Sequence, residues 1–529
     1  MLDEEVLPAQ VGARPQDRRL GRIPLQPGLR RELLWLWLIV GLGAILRLAT
    51  LGRQSLWLDE AESYWMAHRP WQQMLASLPS YDDHPPLHYL VLQPMIALGG
   101  SEWLLRLPSA LAGIASIVLL YALGAELFNR PTGLLAACIL ALSPLHIWYA
   151  QEARMYALVA VLALAAGLFA ARALRTNHPA DWVLLGVCQG LALWTDVAAV
   201  WLTLALNTAA LLLVGALWRS RRFWPWLASQ LLALALFSPW LPAFHQQLEG
   251  GNAQWIPPAT IKGVLGTLAD FVDSFQRPRA EEVLALLVLV IGLAIGGYDL
   301  LREARAQRAR TVLLGCWFVV PVGLSFVVSQ PYVHLPVLAA VLGPRHSIFV
   351  TRNLIIASFP LYVLVARSLV LGRRPLGAIV LAILVVLGAV AYAGNNLVER
   401  KQDFRAADRI VAAQASPHDL IVFAPKFYEL GFLYYFDPVK RSGVPMDELL
   451  DGVLVDGQPR VYPSPAAALP SYRRVWLIGW PQDPYYYRDQ MGTVQAIQSR
   501  GRLSRTEQVE GLTVTLYGLS PGTVAGPQH

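Results

Sequence analysis

Three carboxylates crowd one short stretch of this chain. In SLWLDEAESYW (55–65), Asp59, Glu60 and Glu62 follow directly on the first long apolar run and stand among Trp57, Tyr64 and Trp65. Carboxylates so placed can accept a proton as a general base or hold a divalent cation. The aromatic residues need no chemistry, because Trp and Tyr gather at membrane–water interfaces. Other polar residues recur at the ends of apolar runs. They are Asp82, Asp83 and His84, then Arg106, then Glu152, Arg154 and Tyr156 in QEARMY (151–156), Asp196 in a tight turn, His245 and Glu249, and finally Arg345, His346 and Arg352. Arginine grips phosphate through paired N–H donors, and an Arg set between two apolar runs is costly unless it is paired or used. Acids and arginines drawn from separate loops to one bilayer surface therefore suit a lipid that carries phosphate. Arg47, near the end of the first run, is expected only to snorkel to the headgroups.

Placing these groups on one surface requires a membrane scaffold, and the composition supplies it. The 529 residues are 55% hydrophobic and 15% charged, whereas a soluble chain carries about 25% charge. Apolar segments fall at 33–51, 104–127, 132–149, 155–174, 182–195, 198–217, 223–241, 281–300, 311–329, 349–371 and 375–394, which predicts an α-helical polytopic membrane protein of about 11 crossings. With the N-terminus inside, the connections at 129–133, 171–182, 217–224, 301–310 and 371–375 are cytoplasmic and hold the arginines, as the positive-inside rule asks. The candidate site residues then all lie outside. HPPLHYLVLQPMIALGG (84–100) has too short an apolar core to cross without reversing that parity, so it is expected to lie in the outer interface. The net charge of +7 reads as topology and contact with anionic lipid headgroups, with no nucleic-acid partner.

Residues 1–32, with six arginines, are expected to form a cytoplasmic tail before a signal-anchor helix. Residues 33–394 form the transmembrane domain with outer loops at 52–103 and 242–280, and 395–529 form an extracytoplasmic α/β domain. In that last region a helical period fits 403–415, and β-like runs stand at 419–424, 474–480 and 513–519. Cys138, Cys188 and Cys316 sit far apart inside apolar runs and are expected to be small core residues.

Four motifs in order, LDE after the first crossing, HPPL, RLPSAL and SPLHIWYAQEARMYAL, resemble the integral-membrane GT-C glycosyltransferases. The branch is that of dolichyl-phosphate-mannose protein mannosyltransferases and bacterial aminoarabinose transferases. The resemblance covers residues 33 to about 250 and extends to RNLIIASFP (352–360) and KQDFRAADRI (401–410). It implies a GT-C-like fold and a polyprenyl-phosphate sugar as donor. It implies that Asp59 sits at the reaction centre with Glu60 beside it, and that Arg154, with Tyr156 and Glu152 in the same motif, meets the donor phosphate. His84 and Arg352 transfer to the substrate-binding set. The Lys that aminoarabinose transferases carry between His and Pro is absent, and Asn353 stands where the branch has Tyr.

The expected activity is inverting transfer of a monosaccharide to an acceptor lipid, glycan or protein on the outer face of the plasma (inner) membrane. No cofactor is required by these motifs, and a divalent cation on Asp59 and Glu60 is the one metal left open. The alternative is a flippase or transporter of lipid-linked sugars, which calls for ionisable residues at mid-membrane. Here they cluster at one face.

Overall fold

The computed structural model describes residues 27–519 apart from 215–219, 251–255, 274–278, 303–307, 331–346, 373, 417–418, 437–452, 456–457, 460–468, 470–471 and 481–490. The expected tail up to residue 26, and Arg345 and His346, lie outside the described residues. Each of the eleven apolar segments coincides with helix. Among the described residues, seven helices are long and apolar enough to cross a membrane: Glu102–Leu127, Tyr156–Thr176, Phe223–Gln247, Glu281–Arg302, Arg308–Val328, Thr351–Leu371 and Gly377–Asn396. A pair bent by 61°, Arg130–Leu142 and Pro144–Ala150, makes up to eight.

Of the eleven expected apolar runs, three have described helices that are shorter or more charged than that measure asks. Pro179–Leu193 and Ala199–Val214 have 15 and 16 residues, rising about 22–24 Å against roughly 30 Å of hydrocarbon. Pro27–Leu48 carries Arg30, Arg31, Glu32 and Arg47 within its 22 residues. The segment expected at the interface forms Leu87–Ala97, 11 residues long, a rise of about 16 Å.

Local sequence explains the breaks. Ser101 starts Glu102–Leu127 by accepting from the Leu104 N–H, and Asn129 does the same for Thr132 ahead of Pro131. At Ser143-Pro144 the missing N–H of proline ends one helix, while the Ser143 hydroxyl caps the next. Arg47 braces this bend. It is fully buried and does not snorkel, contrary to expectation. Its Nη1 donates to the Ala141 carbonyl at 3.1 Å and its Nη2 to the Leu140 carbonyl at 3.0 Å, the acceptors that a helix end leaves unpaired. The bend aims the 151–155 segment at the helix Leu58–His68.

The C-terminal chain forms a six-stranded sheet of order β3-β2-β1-β4-β6-β5. The strands are β1 (Leu420–Ala424), β2 (Val453–Val455), β3 (Gln458–Pro459), β4 (Arg474–Gly479), β5 (Gly501–Val509) and β6 (Leu512–Leu519). Among the described residues β1 and β4 pair in parallel and the other neighbouring strands pair antiparallel. Both are buried on two faces, so they read as continuous apolar runs. Alternate residues serve two cores. Ile421, Phe423, Trp476 and Ile478 pack with Tyr64, Trp65, Tyr89 and Trp240 from the other end of the chain. Leu420, Val422, Val475 and Leu477 pack with Val494 and Ile497 of the helix Met491–Arg500. The sheet unit is therefore fastened to the end of the bundle that carries Asp59.

Helices Glu102–Leu127 and Arg130–Leu142 meet at Gly124, where an added Cβ would lie 2.9 Å from the Gly133 Cα. Gly124→Val is expected to cost about 1–3 kcal/mol by overpacking, read as a lower unfolding midpoint in detergent. An unchanged midpoint would show that the two helices separate freely there.

Candidate functional site

The site is assembled from five separate segments. Asp59 opens the helix Leu58–His68, whose first turn accepts acids because its N–H groups point outward. Arg154 lies in the short non-helical stretch between Pro144–Ala150 and Tyr156–Thr176. Its Nη1 donates to the Asp59 carbonyl at 3.2 Å and to the Ser63 hydroxyl at 3.1 Å. The Ser109 hydroxyl holds the Arg154 carbonyl at 3.1 Å. Arg352, in the 3-10 helix Thr351–Ala357, reaches the Asp59 carboxylate at 3.4 Å and lies 5.8 Å from the centre of the Tyr156 ring. His84 and Asp196 face each other at 3.9 Å. The five segments bring Asp59, Arg154, Tyr156, Arg352 and His84 together, as the motifs led us to expect, and add Asp196.

Several polar atoms here are buried without a hydrogen-bond partner among the described residues: Arg154 Nε, Tyr156 Oη, His84 Nδ1 and Asp196 Oδ2. Buried donors and acceptors left unmade cost free energy, which a polar ligand or water would recover. Burial lowers the His84 imidazole well below its usual range, and Arg154, Arg352 and His88 lower it further, so it is neutral at physiological pH. Burial raises the Asp196 carboxyl to about 6 against the hydrogen bond from the Ala198 N–H and the pull of both arginines. The two guanidinium groups, Arg154 and Arg352, thus stand beside a neutral imidazole and the carboxylates of Asp59 and Asp196.

Glu60 requires a correction. It adjoins Asp59 in sequence, but the next residue in a helix points about 100° away, and its carboxylate is fully buried on the opposite side. Arg106 grips it with Nε at 2.7 Å and Nη2 at 2.6 Å, the Ala153 N–H donates to it at 2.8 Å, and Lys401 stands at 3.3 Å. Burial pushes the Glu60 carboxyl up, yet Arg106 and Lys401 overcome this and hold it down at about 2. With every oxygen taken, Glu60 does not fit as a base or as a ligand shared with Asp59. Among the described residues no three His, Cys, Asp or Glu side chains group as cation ligands. Glu152 is likewise turned away from Arg154, its Oε1 lying 3.4 Å from Lys401. His245 is exposed, and the Glu249 side chain lies outside the described residues.

Two residues escaped sequence reasoning. Lys401 sits just past the last apolar run, where a lysine reads as an ordinary membrane flank. Glu62 is the third carboxylate of the 55–65 stretch, and the family resemblance gives it no role. In the fold it is only partly exposed and faces the Asp82 side of the site. Burial raises its carboxyl to about 8, with Asp82, Asp59 and Asp83 adding to the rise and Arg154 opposing it. Asp82 is itself bonded to the Tyr89 hydroxyl and accepts from the His84 N–H at 3.1 Å. One turn of helix places Glu62 over Asp59, which spacing alone could have shown.

Residues 83–242 match the family model of dolichyl-phosphate-mannose-protein mannosyltransferases. That range holds His84, Arg154, Tyr156 and Asp196 but not Asp59 or Arg352. Among curated proteins no sequence matches. Among solved structures, ArnT from Cupriavidus metallidurans bound to undecaprenyl phosphate has a TM-score of 0.57 at 14% identity, over 93% of this chain and 99% of that one. The oligosaccharyltransferase AglB from Archaeoglobus fulgidus, in complex with an inhibitory peptide and a dolichol-phosphate, has a TM-score of 0.53 at 11% identity, over 94% and 75%. The arabinofuranosyltransferase AftD from Mycobacteria has 0.53 at 15% identity, over 92% and 40%. At such identities the likeness is one of fold alone: this chain shares the fold of these three structures.

Removing Arg106 would leave Glu60 buried with only part of its compensation. Arg106→Met is expected to cost about 3–5 kcal/mol, seen as loss of monodisperse protein in detergent, and full retention would refute the buried pairing. Glu62 gives a pH signature. Its folded carboxyl binds a proton more tightly than the unfolded one, so stability falls as pH rises from about 4.5 through about 8. Glu62→Gln should flatten that fall in a thermal-unfolding series, and an identical slope in the variant would assign it elsewhere.

Proposed function

We propose that this protein is a glycosyltransferase that moves a monosaccharide from a polyprenyl-phosphate donor to an acceptor lipid, glycan or protein, inverting the anomeric centre. The observation that carries this reading is the meeting of Arg154 and Arg352 on Asp59, from three separate segments. The fold shared with ArnT, whose structure holds undecaprenyl phosphate, supports it.

In this reading the bond between the sugar C1 and the phosphate oxygen breaks while the acceptor oxygen bonds to C1 from the opposite face. The sugar is oxocarbenium-like in between, as in glycoside hydrolysis. Polyprenyl phosphate leaves with the electron pair, and the guanidinium groups of Arg154 and Arg352 stabilise the charge that develops on it. Asp59 takes the proton of an acceptor hydroxyl, or orients an acceptor that is already anionic. Neutral His84 can donate to or accept from the donor without adding charge. Tyr156 stacks beneath Arg352 and offers its hydroxyl to the same ligand.

Placement in the membrane follows the arginine-rich connections. The N-terminus and those connections face the cytoplasm, and the site and the C-terminal sheet unit face outward from the plasma (inner) membrane. The domains are the tail 1–32, the transferase 33–394 and the α/β unit 395–529, whose task is to shape acceptor access. The helix Leu87–Ala97 and the loop 242–280 form the lipid approach. The charges gather at one end of the bundle instead of lining a path through it, which favours a transferase over a transporter.

The test uses the full chain in proteoliposomes with a panel of undecaprenyl-phosphate monosaccharides. Asp59→Asn is expected to lower the transfer rate by roughly 10²–10⁴-fold while binding of undecaprenyl phosphate and the unfolding midpoint stay as in the wild type. Normal transfer by that variant would refute the assignment.

A further inference from the structure

Lys401 lies five residues beyond the last membrane helix, at the start of the segment that leads to the sheet. It is almost wholly buried. Its Nζ stands 3.3 Å from Glu60 Oε2 and 3.4 Å from Glu152 Oε1, donates to the Gln151 carbonyl at 3.4 Å, and lies 5.2 Å from the centre of the Trp148 ring. A buried ammonium is costly unless paired. Here its two partners belong to the two segments that carry the reacting groups. Glu60 follows Asp59, and Glu152 precedes Arg154 by two residues.

Glu152 is the less settled of the two. Its Oε2 is buried without a hydrogen-bond partner. The charged and titratable groups that face it are Lys401 from the C-terminal segment, Glu60 and Asp59 from the helix Leu58–His68, Arg352 from the 3-10 helix, and Tyr149 from its own side. Arg106 is already bound through two nitrogens to Glu60. Among the described residues Lys401 pairs with Glu152 at 3.4 Å, Arg352 adds a further favourable charge, and Arg352 also pairs with Asp59.

We propose that Lys401 is a positioning residue for the transfer reaction: by pairing with Glu152 it prevents that carboxylate from drawing Arg352 away from Asp59 and the donor phosphate. The segment that opens the C-terminal unit thereby sets the geometry of a site it does not touch. This inference rests on the transferase reading above.

The experiment measures kcat and donor KM for the full chain in proteoliposomes, with whichever undecaprenyl-phosphate monosaccharide the wild type accepts. Lys401→Met is expected to lower kcat about tenfold or more, equivalent to about 1.4 kcal/mol of barrier, with donor KM changed less than twofold. Lys401→Arg should keep most of the activity. Lys401→Met combined with Glu152→Gln should recover much of the lost kcat, because the competing carboxylate is gone. Unchanged kcat in Lys401→Met, or no recovery in the double variant, overturns the proposal. Where Lys401→Met alone does not fold, Glu152→Gln is compared with the double variant, and a tenfold gap between those two overturns it. If the wild type transfers no sugar at all, the transferase reading fails and takes this proposal with it; if it transfers and Lys401→Met matches it, only this proposal fails.

Discussion

The structure depends on one buried ionic junction. Glu60 accepts from Arg106, Lys401 and the Ala153 N–H, and Lys401 also reaches Glu152. These residues come from the helix Leu58–His68, the membrane helix Glu102–Leu127, the 151–155 segment and the start of the C-terminal unit. Two acids and two bases balance in charge, which is the condition for keeping ions out of water. Arg106 also donates to the Leu51, Gln54 and Ser55 carbonyls, so its one guanidinium fixes the whole connection between the first membrane helix and Asp59.

With Glu60 locked on one side of its helix, Asp59 is presented on the other. The same junction aligns Arg154, because Ala153 is tied to Glu60 and Ser109 holds the Arg154 carbonyl. The acid and the arginine are therefore not placed independently. Both sit on one braced unit, where Arg154 donates to the Asp59 carbonyl. Such preorganisation lets charged groups act on a ligand without reorganising at the moment of reaction. Arg47 does comparable work within the membrane, where a guanidinium bound to carbonyls holds the bend at Ser143-Pro144.

Much of this could be read from the chain. The apolar runs marked each membrane helix, and the strands at 420–424, 474–479 and 512–519 were legible because residues buried on one or both faces are apolar. β5 (501–509) was not, since GRLSRTEQV forms an exposed edge whose polar residues carry no burial pattern. Among the described residues seven helices, or eight with the bent pair, are long and apolar enough to cross, against eleven apolar runs, because hydropathy registers apolar content and not helix length. Asp59, His84, Arg154 and Arg352 stand out with other polar residues beside apolar runs, and only the family resemblance singles them out, together with Tyr156.

Sequence alone thus determined the membrane scaffold, the helical segments and the set of residues from which the site is drawn, because burial in lipid imposes patterns on each segment separately. Only the tertiary structure shows which partners each of them meets. Whether a carboxylate is a reacting group or a strut depends on which way it points and which cation it meets, and those cations lie 46 and 341 positions away from Glu60. Asp59 and Glu60 are neighbours in the chain, but one faces the cavity and the other a buried arginine. That division of labour is set by helix geometry and long-range pairing, which adjacency in sequence does not record.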